Sequence, residues 1–150
     1  MARRRSIAPA GGIPLGGNAI KINLGQAQRE GESDEAGVPG RRIYLVLRNY
    51  RTNVQPGILY HVYLSLPPGT RGAAAQRHYV GPLSFFDAVP VPGHAGQFGG
   101  KTRRFDVTAL AQRLRAAGLL DDNPSVTIAP AGEPASAAQP VIGEIAFIEE

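Results

Sequence analysis

The chain has 150 residues, 43% hydrophobic and 19% charged, with 19 Gly, 13 Pro and a formal charge of +4. That length buries a core within one domain and that balance excludes a disordered chain, while the Gly and Pro content argues against a helical protein. The absence of cysteine excludes disulfides, thiolate metal sites and cysteine nucleophiles, and nothing dictates an oxidising compartment.

Residues 1–17 read as a flexible, basic, Gly/Pro-rich arm. Pro9, Gly11, Gly12 and Pro14 break any apolar run there, so no signal peptide is expected. No window approaches the ~18 apolar residues of a bilayer span. The expectation is a soluble, cytoplasmic protein with no membrane partner.

Residues 18–150 read as one β-sandwich domain. Asn18 to Leu24 alternates Ile20, Ile22 and Leu24 against polar positions, as a half-buried strand does. Residues 25–40 form a polar loop carrying Glu30, Glu32, Asp34 and Glu35. Arg41 to Asn49 is apolar on both faces and suits a strand covered on both sides. Ile58 to Leu66 alternates again: Tyr60, Val62, Leu64 and Leu66 are expected in the core, with His61 and Tyr63 outward. Pro67, Pro68 and Gly69 end that strand, and an Ala-rich loop follows.

Arg77 to Phe86 is the next expected strand, with Gly81 and Pro82 marking a bulge or an edge. Residues 87–100 form a long Gly/Pro-rich loop, a length usually tied to function or mobility. A short strand, Arg103 to Val107, leads to a helix near 108–117. Thr108 is its expected cap, Leu110 and Leu114 share its buried face, and Gly118 ends it. Arg113 and Arg115 are expected to face solvent or the helix's C-terminal dipole. Ser125 to Pro130 and Val141 to Ile148 complete the set. The predicted fold is all-β: an antiparallel two-sheet sandwich, jelly-roll-like, of about seven strands with one short helix.

Candidate chemistry is sparse. His61, His78 and His94 fall on two strands and a loop with no metal-ligand spacing, and each reads as a partly exposed sandwich residue. Ser65, His61 and Asp87 make a nominal nucleophile–base–acid trio, but no nucleophile-elbow pattern accompanies it. Asp121 and Asp122 sit in a turn, and Glu149 and Glu150 end the sequence. GGIPLGG and GQFGG lack the strand–helix context of a phosphate loop. The arginines are scattered, and no zinc-finger spacing, helix-turn-helix pattern or RNP-like strand points to nucleic acid. No enzyme activity, catalytic residue, cofactor or metal is expected.

The wording of the strands carries one resemblance. LYHVYL, RHYVGPLSFF, FDVTALAQRLRAAGLLDDNPSVTIAP and PVIGEIAFI follow one another in this chain. Their order resembles the β-sandwich domain that follows the dicopper catalytic domain in tyrosinases, polyphenol oxidases and molluscan hemocyanins. The likeness covers residues 40–150 roughly, and the run from the helix through SVTIAP is its most specific part. Tyr60-His61-Val62 stands where the family's KFDV motif has Phe-Asp-Val. The resemblance implies a companion domain, here expected free-standing, without the dicopper domain.

In that family, a bulky side chain on this domain often plugs the copper-site entrance. The corresponding loop here reads PPGTRGAAAQ and offers no such side chain, leaving Val89, Val91 or Phe98 as substitutes. The expected function is non-catalytic protein binding: shielding, stabilising or helping to mature a separately encoded tyrosinase-like catalytic subunit. The other expected role is a self-assembling module that forms homo-oligomers through sandwich edges. The expected partner contacts are His61, Tyr63, Val89, Val91, His94 and Phe98.

Overall fold

The apolar runs become the inner faces of two antiparallel sheets. A computed structural model describes residues 3–24, 28–30, 42–85, 101–120 and 124–150. The strands are β1 (Arg3–Ile7), β2 (Ile13–Pro14), β3 (Ile20–Asn23), β4 (Gln28–Glu30), β5 (Ile43–Tyr50), β6 (Tyr60–Leu64), β7 (Tyr79–Leu83), β8 (Lys101–Asp106), β9 (Ser125–Pro130), β10 (Val141–Ile142) and β11 (Glu144–Glu149). Two helices join them, α1 (Ala73–Gln76) and α2 (Thr108–Ala116). One sheet has the order β4-β1-β11-β5-β8, the other β3-β9-β6-β7, and β10 pairs with β2 beside them.

The fold class is therefore the expected all-β sandwich. The described residues divide into more strands than the sequence suggests because β2, β4 and β10 are only two or three residues long. Such pieces are too short for a period to show.

Alternation sets which side chains meet between the sheets. Leu45, Leu47, Ile145 and Phe147 face inward from one sheet, and Tyr60, Val62, Leu64, Val126 and Ile128 from the other, all buried in one core. Phe85, just after β7, is 1% exposed and meets the rings of Tyr50 and Tyr60 edge-on at 5.4 and 5.6 Å. Full burial of each such side chain is worth about 1.5–3 kcal/mol. Leu66, expected in the core with its neighbours, is only half-buried because the strand has already ended at Leu64.

Two departures follow from tertiary pairing. Residues 3–7, expected within the loose arm, form β1 and pair with β11 from Arg3↔Glu149 to Ile7↔Ile145. Nothing in RRRSI alternates; the strand exists because the edge of β11 offers it a ladder and a buried place for Arg5. The helix α2 is also capped differently. The Asp106 carboxylate accepts from the Thr108 N–H at 3.0 Å and from the Thr108 hydroxyl at 2.6 Å. That hydroxyl in turn accepts from the Ile43 N–H at 2.9 Å, tying α2 to β5.

The far end of α2 behaves as expected. Gly118 takes φ 72°, and the Gly118 and Leu119 N–H groups donate to the Arg115 and Leu114 carbonyls at 3.0 and 2.8 Å. This is the Schellman closure that glycine permits. Leu110, Ala111 and Leu114 lay the buried face of α2 onto the core. Among the described residues, no helix is long and apolar enough to cross a membrane.

Candidate functional site

The outward face of the four-stranded sheet gathers three ring side chains that lie outside the core, His61, Tyr63 and Tyr79. Strand β6 alternates buried Tyr60, Val62 and Leu64 with half-buried His61 and Tyr63, as its sequence requires. Edge strand β7 would ordinarily set residue 79 opposite Leu64 and point it inward. A register shift after Val62 places Tyr79 opposite Tyr63 instead. Val80 is the extra residue of this bulge and packs against the core.

Gly81 permits the arrangement. A Cβ there would sit 2.9 Å from Cε1 of Phe105 on β8, so the ring closes over the backbone where the two sheets meet. The result is a row of rings. Tyr79 lies 5.4 Å from Tyr63, edge to face, and 5.5 Å from the His61 imidazole. His61 Nδ1 and the Tyr79 hydroxyl are hydrogen-bonded at 3.0 Å. Burial, and then the neighbouring Tyr63, push the Tyr79 hydroxyl above the ordinary tyrosine range. The row continues through Thr127 on β9 to Lys21 on β3, and Ala129 stands opposite His61.

This face has apolar bodies with polar tips, the make-up of a contact surface. The Ser65 hydroxyl accepts from the Ser125 N–H at 3.2 Å, while His61 is engaged with Tyr79. Asp87 lies outside the described residues.

His78 corrects the expectation of partial exposure: it is 2% exposed, with Nδ1 2.9 Å from the Leu64 carbonyl oxygen. Its place is fixed by α1, whose Ala75 carbonyl accepts the His78 N–H at 2.9 Å. Among the described residues no cluster of His, Asp or Glu could hold a metal ion. A dicopper centre, which needs several convergent imidazoles, does not fit His61 and His78 as they stand.

Of the expected contact residues, the structure brings His61 and Tyr63 together on one face. Val89, Val91, His94 and Phe98 lie outside the described residues. Tyr79 is the member of the site that the sequence leaves unassigned among its aromatics. The Gly81-Pro82 pair was its only signal, since it announces an irregular strand without saying which way Tyr79 turns. The loop between β6 and β7, compared above with the family's plug, carries α1 and keeps only Ala75 buried along that helix.

The profile of the family described as Domain of unknown function (DUF7868) matches residues 16–150. No curated protein sequence matches the chain. Among solved structures, a recombinantly expressed latent aurone synthase (polyphenol oxidase) aligns with a TM-score of 0.54 and 16% identity, over 89% of this chain and 25% of that one. The same enzyme from its natural source aligns with a TM-score of 0.53 and 14% identity, over 91% and 25%. Latent apple tyrosinase aligns with a TM-score of 0.52 and 17% identity, over 92% and 28%. The chain thus spans about a quarter of the length of the solved chains it matches. Its fold is that of the sandwich domain in the tyrosinase and polyphenol oxidase family.

Proposed function

The chain belongs to the family described as Domain of unknown function (DUF7868), and from that footing we propose that it is a non-catalytic binding domain for a tyrosinase-like dicopper oxidase carried on a separate polypeptide. Its effect would be to shield, stabilise or help mature that enzyme, in the cytoplasm. The observation that carries this reading is the shared fold over about nine-tenths of the chain with polyphenol oxidases described as latent. The His61–Tyr63–Tyr79 row supports it as the contact face, because half-buried rings with polar tips anchor protein interfaces.

The test is to mix the purified chain with a tyrosinase-like oxidase from the same source and follow co-elution, oxidase activity and thermal stability. Binding with altered activity or stability is expected, and a Tyr63→Ala, Tyr79→Ala double variant should weaken it at least about tenfold. An oxidase indifferent to the chain in both activity and stability sinks the proposal.

A second reading has its own observation. Among the described residues, β3, β7 and β8 each pair on one side only, so their outer edges are open to self-association. A sedimentation measurement separates the two, because a monomer without partner excludes the self-assembling module.

A further inference from the structure

The C-terminal turn of α2 and the residue following α1 border an open cleft of about 330 Å³, lined by Arg77, Arg113, Leu114, Ala117 and Leu119. Its floor is apolar: Leu114 is 2% exposed and Leu119 is half-buried. Its lining also includes two arginines from distant parts of the sequence. Other arginines already hold carboxylates: Arg4 and Arg48 hold Glu144, Arg42 holds Asp106, Arg104 holds Glu150 and Arg115 holds Glu149. Arg77 and Arg113, like Arg51, Arg71 and Arg103, hold none among the described residues, and of these five only Arg77 and Arg113 line the cleft.

The helix end beside them does not cancel their charge. The Arg113, Leu114 and Arg115 carbonyls accept from the Ala117, Leu119 and Gly118 N–H groups, so they are engaged rather than presented to the cleft. Two arginines without a carboxylate, beside apolar lining residues, match one kind of ligand. Guanidinium groups recognise planar carboxylates through paired N–H bonds, and the floor suits a compact apolar body. The cleft lies at the small end of ligand pockets, roughly 300–1,000 Å³, which favours a free small molecule over a peptide segment.

We propose that this cleft is a binding site for a small amphipathic carboxylic acid, its carboxylate between Arg77 and Arg113 and its apolar group on Leu114, Ala117 and Leu119. The site is separate from the aromatic face, and the inference does not depend on the proposed oxidase partner.

The test is a titration of the full chain followed by amide chemical shifts, with three probes. Phenylacetate supplies both features, 2-phenylethanol keeps the body without the charge, and acetate keeps the charge without the body. Phenylacetate should perturb the residues around the cleft and bind at least about tenfold more tightly than either control, and more weakly as salt rises. Arg77→Gln and Arg113→Gln, both at exposed positions, should leave the circular dichroism unchanged while each weakens binding about tenfold. Equal binding by the wild type and the double variant overturns the proposal. So does saturation by 2-phenylethanol as readily as by phenylacetate, or the absence of any shift at millimolar phenylacetate.

Discussion

The outward faces of the two sheets solve the same problem with different chemistry. On the five-stranded sheet, Glu144 is clasped by Arg4 at 2.5 Å and Arg48 at 3.1 Å, and Arg104 lies 3.6 Å over the ring of Tyr44. Val46 and Ala146 on that face are 4% and 0% exposed although they point away from the core. Long arginine stems cover such positions while their heads stay in water. On the four-stranded sheet the corresponding layer is His61, Tyr63 and Tyr79, joined by ring contacts and one hydrogen bond. The first face satisfies itself with opposite charges. The second leaves ring surface half-exposed, and that difference is why the aromatic face is the contact candidate.

The sharpest way to break the charged sheet is at a pair whose carboxylate is buried. Arg115 donates to Glu149 Oε1 at 2.6 Å, and the Glu149 side chain is only 5% exposed. Arg115→Ala removes that bond from a buried carboxylate. The expected cost is about 3 kcal/mol, or roughly 6–12 °C in melting temperature. An Arg115→Met, Glu149→Leu double variant should recover most of it, since a packed apolar pair avoids the desolvation of both charges. A single variant that melts with the wild type would show the pair to be no more than a surface contact.

The acid limb of stability comes next. Burial opposes ionisation of Glu144, but the hydrogen bonds from Arg48 and Arg4, with their charges, outweigh it and hold the carboxyl below the ordinary glutamate value. A folded value below the unfolded one gives stability that is complete above the unfolded value and lost as pH falls through the folded one. The wild type should therefore lose about 1 kcal/mol below pH ~4 that Glu144→Gln has already lost at neutral pH. Asp106, held low first by the Thr108 hydroxyl and then by its N–H, keeps part of the limb in the variant. Denaturant midpoints of the two proteins that fall in parallel from pH 6 to 3 would contradict this.

How much of this was legible in the sequence divides along the same line. Strands β3 and β6 and helix α2 show in their own periods, because burial on one face writes itself locally, and β5, β9 and β11 show as short apolar runs. The inward set Tyr60, Val62 and Leu64 and the outward pair His61 and Tyr63 follow from that alone. Strand β1 does not show, because RRRSI is a strand only by virtue of its pairing with β11. Arg115 reads as a solvent or dipole residue like Arg113, and Glu149 as part of a charged end. Their buried pair joins two segments whose sequences say nothing of each other. The bulge beside Gly81 is the same kind of case: its dipeptide is visible, its register is not. Short-range patterns carry the layers, and long-range pairings carry the charges.

The aromatic face should fail at the opposite end of the pH scale, and by less. Burial, then Tyr63, raise the Tyr79 hydroxyl above its ordinary value, so the folded chain favours the protonated phenol. A folded value above the unfolded one gives stability that is complete below the unfolded value and lost as pH rises through the folded one. The alkaline limb should thus begin near pH ~10. Tyr60, raised by its own burial, shares that limb, so Tyr79→Phe should make it shallower without abolishing it. At neutral pH the same change removes only the hydroxyl bond to His61, which water can replace on a half-exposed face, and should cost about 0.5 kcal/mol. Denaturant titrations at pH 7 and above 10 check both numbers. A loss of several kcal/mol at neutral pH would make the ring row a structural girder. A small loss leaves its exposed area unexplained by stability, and therefore available to a partner.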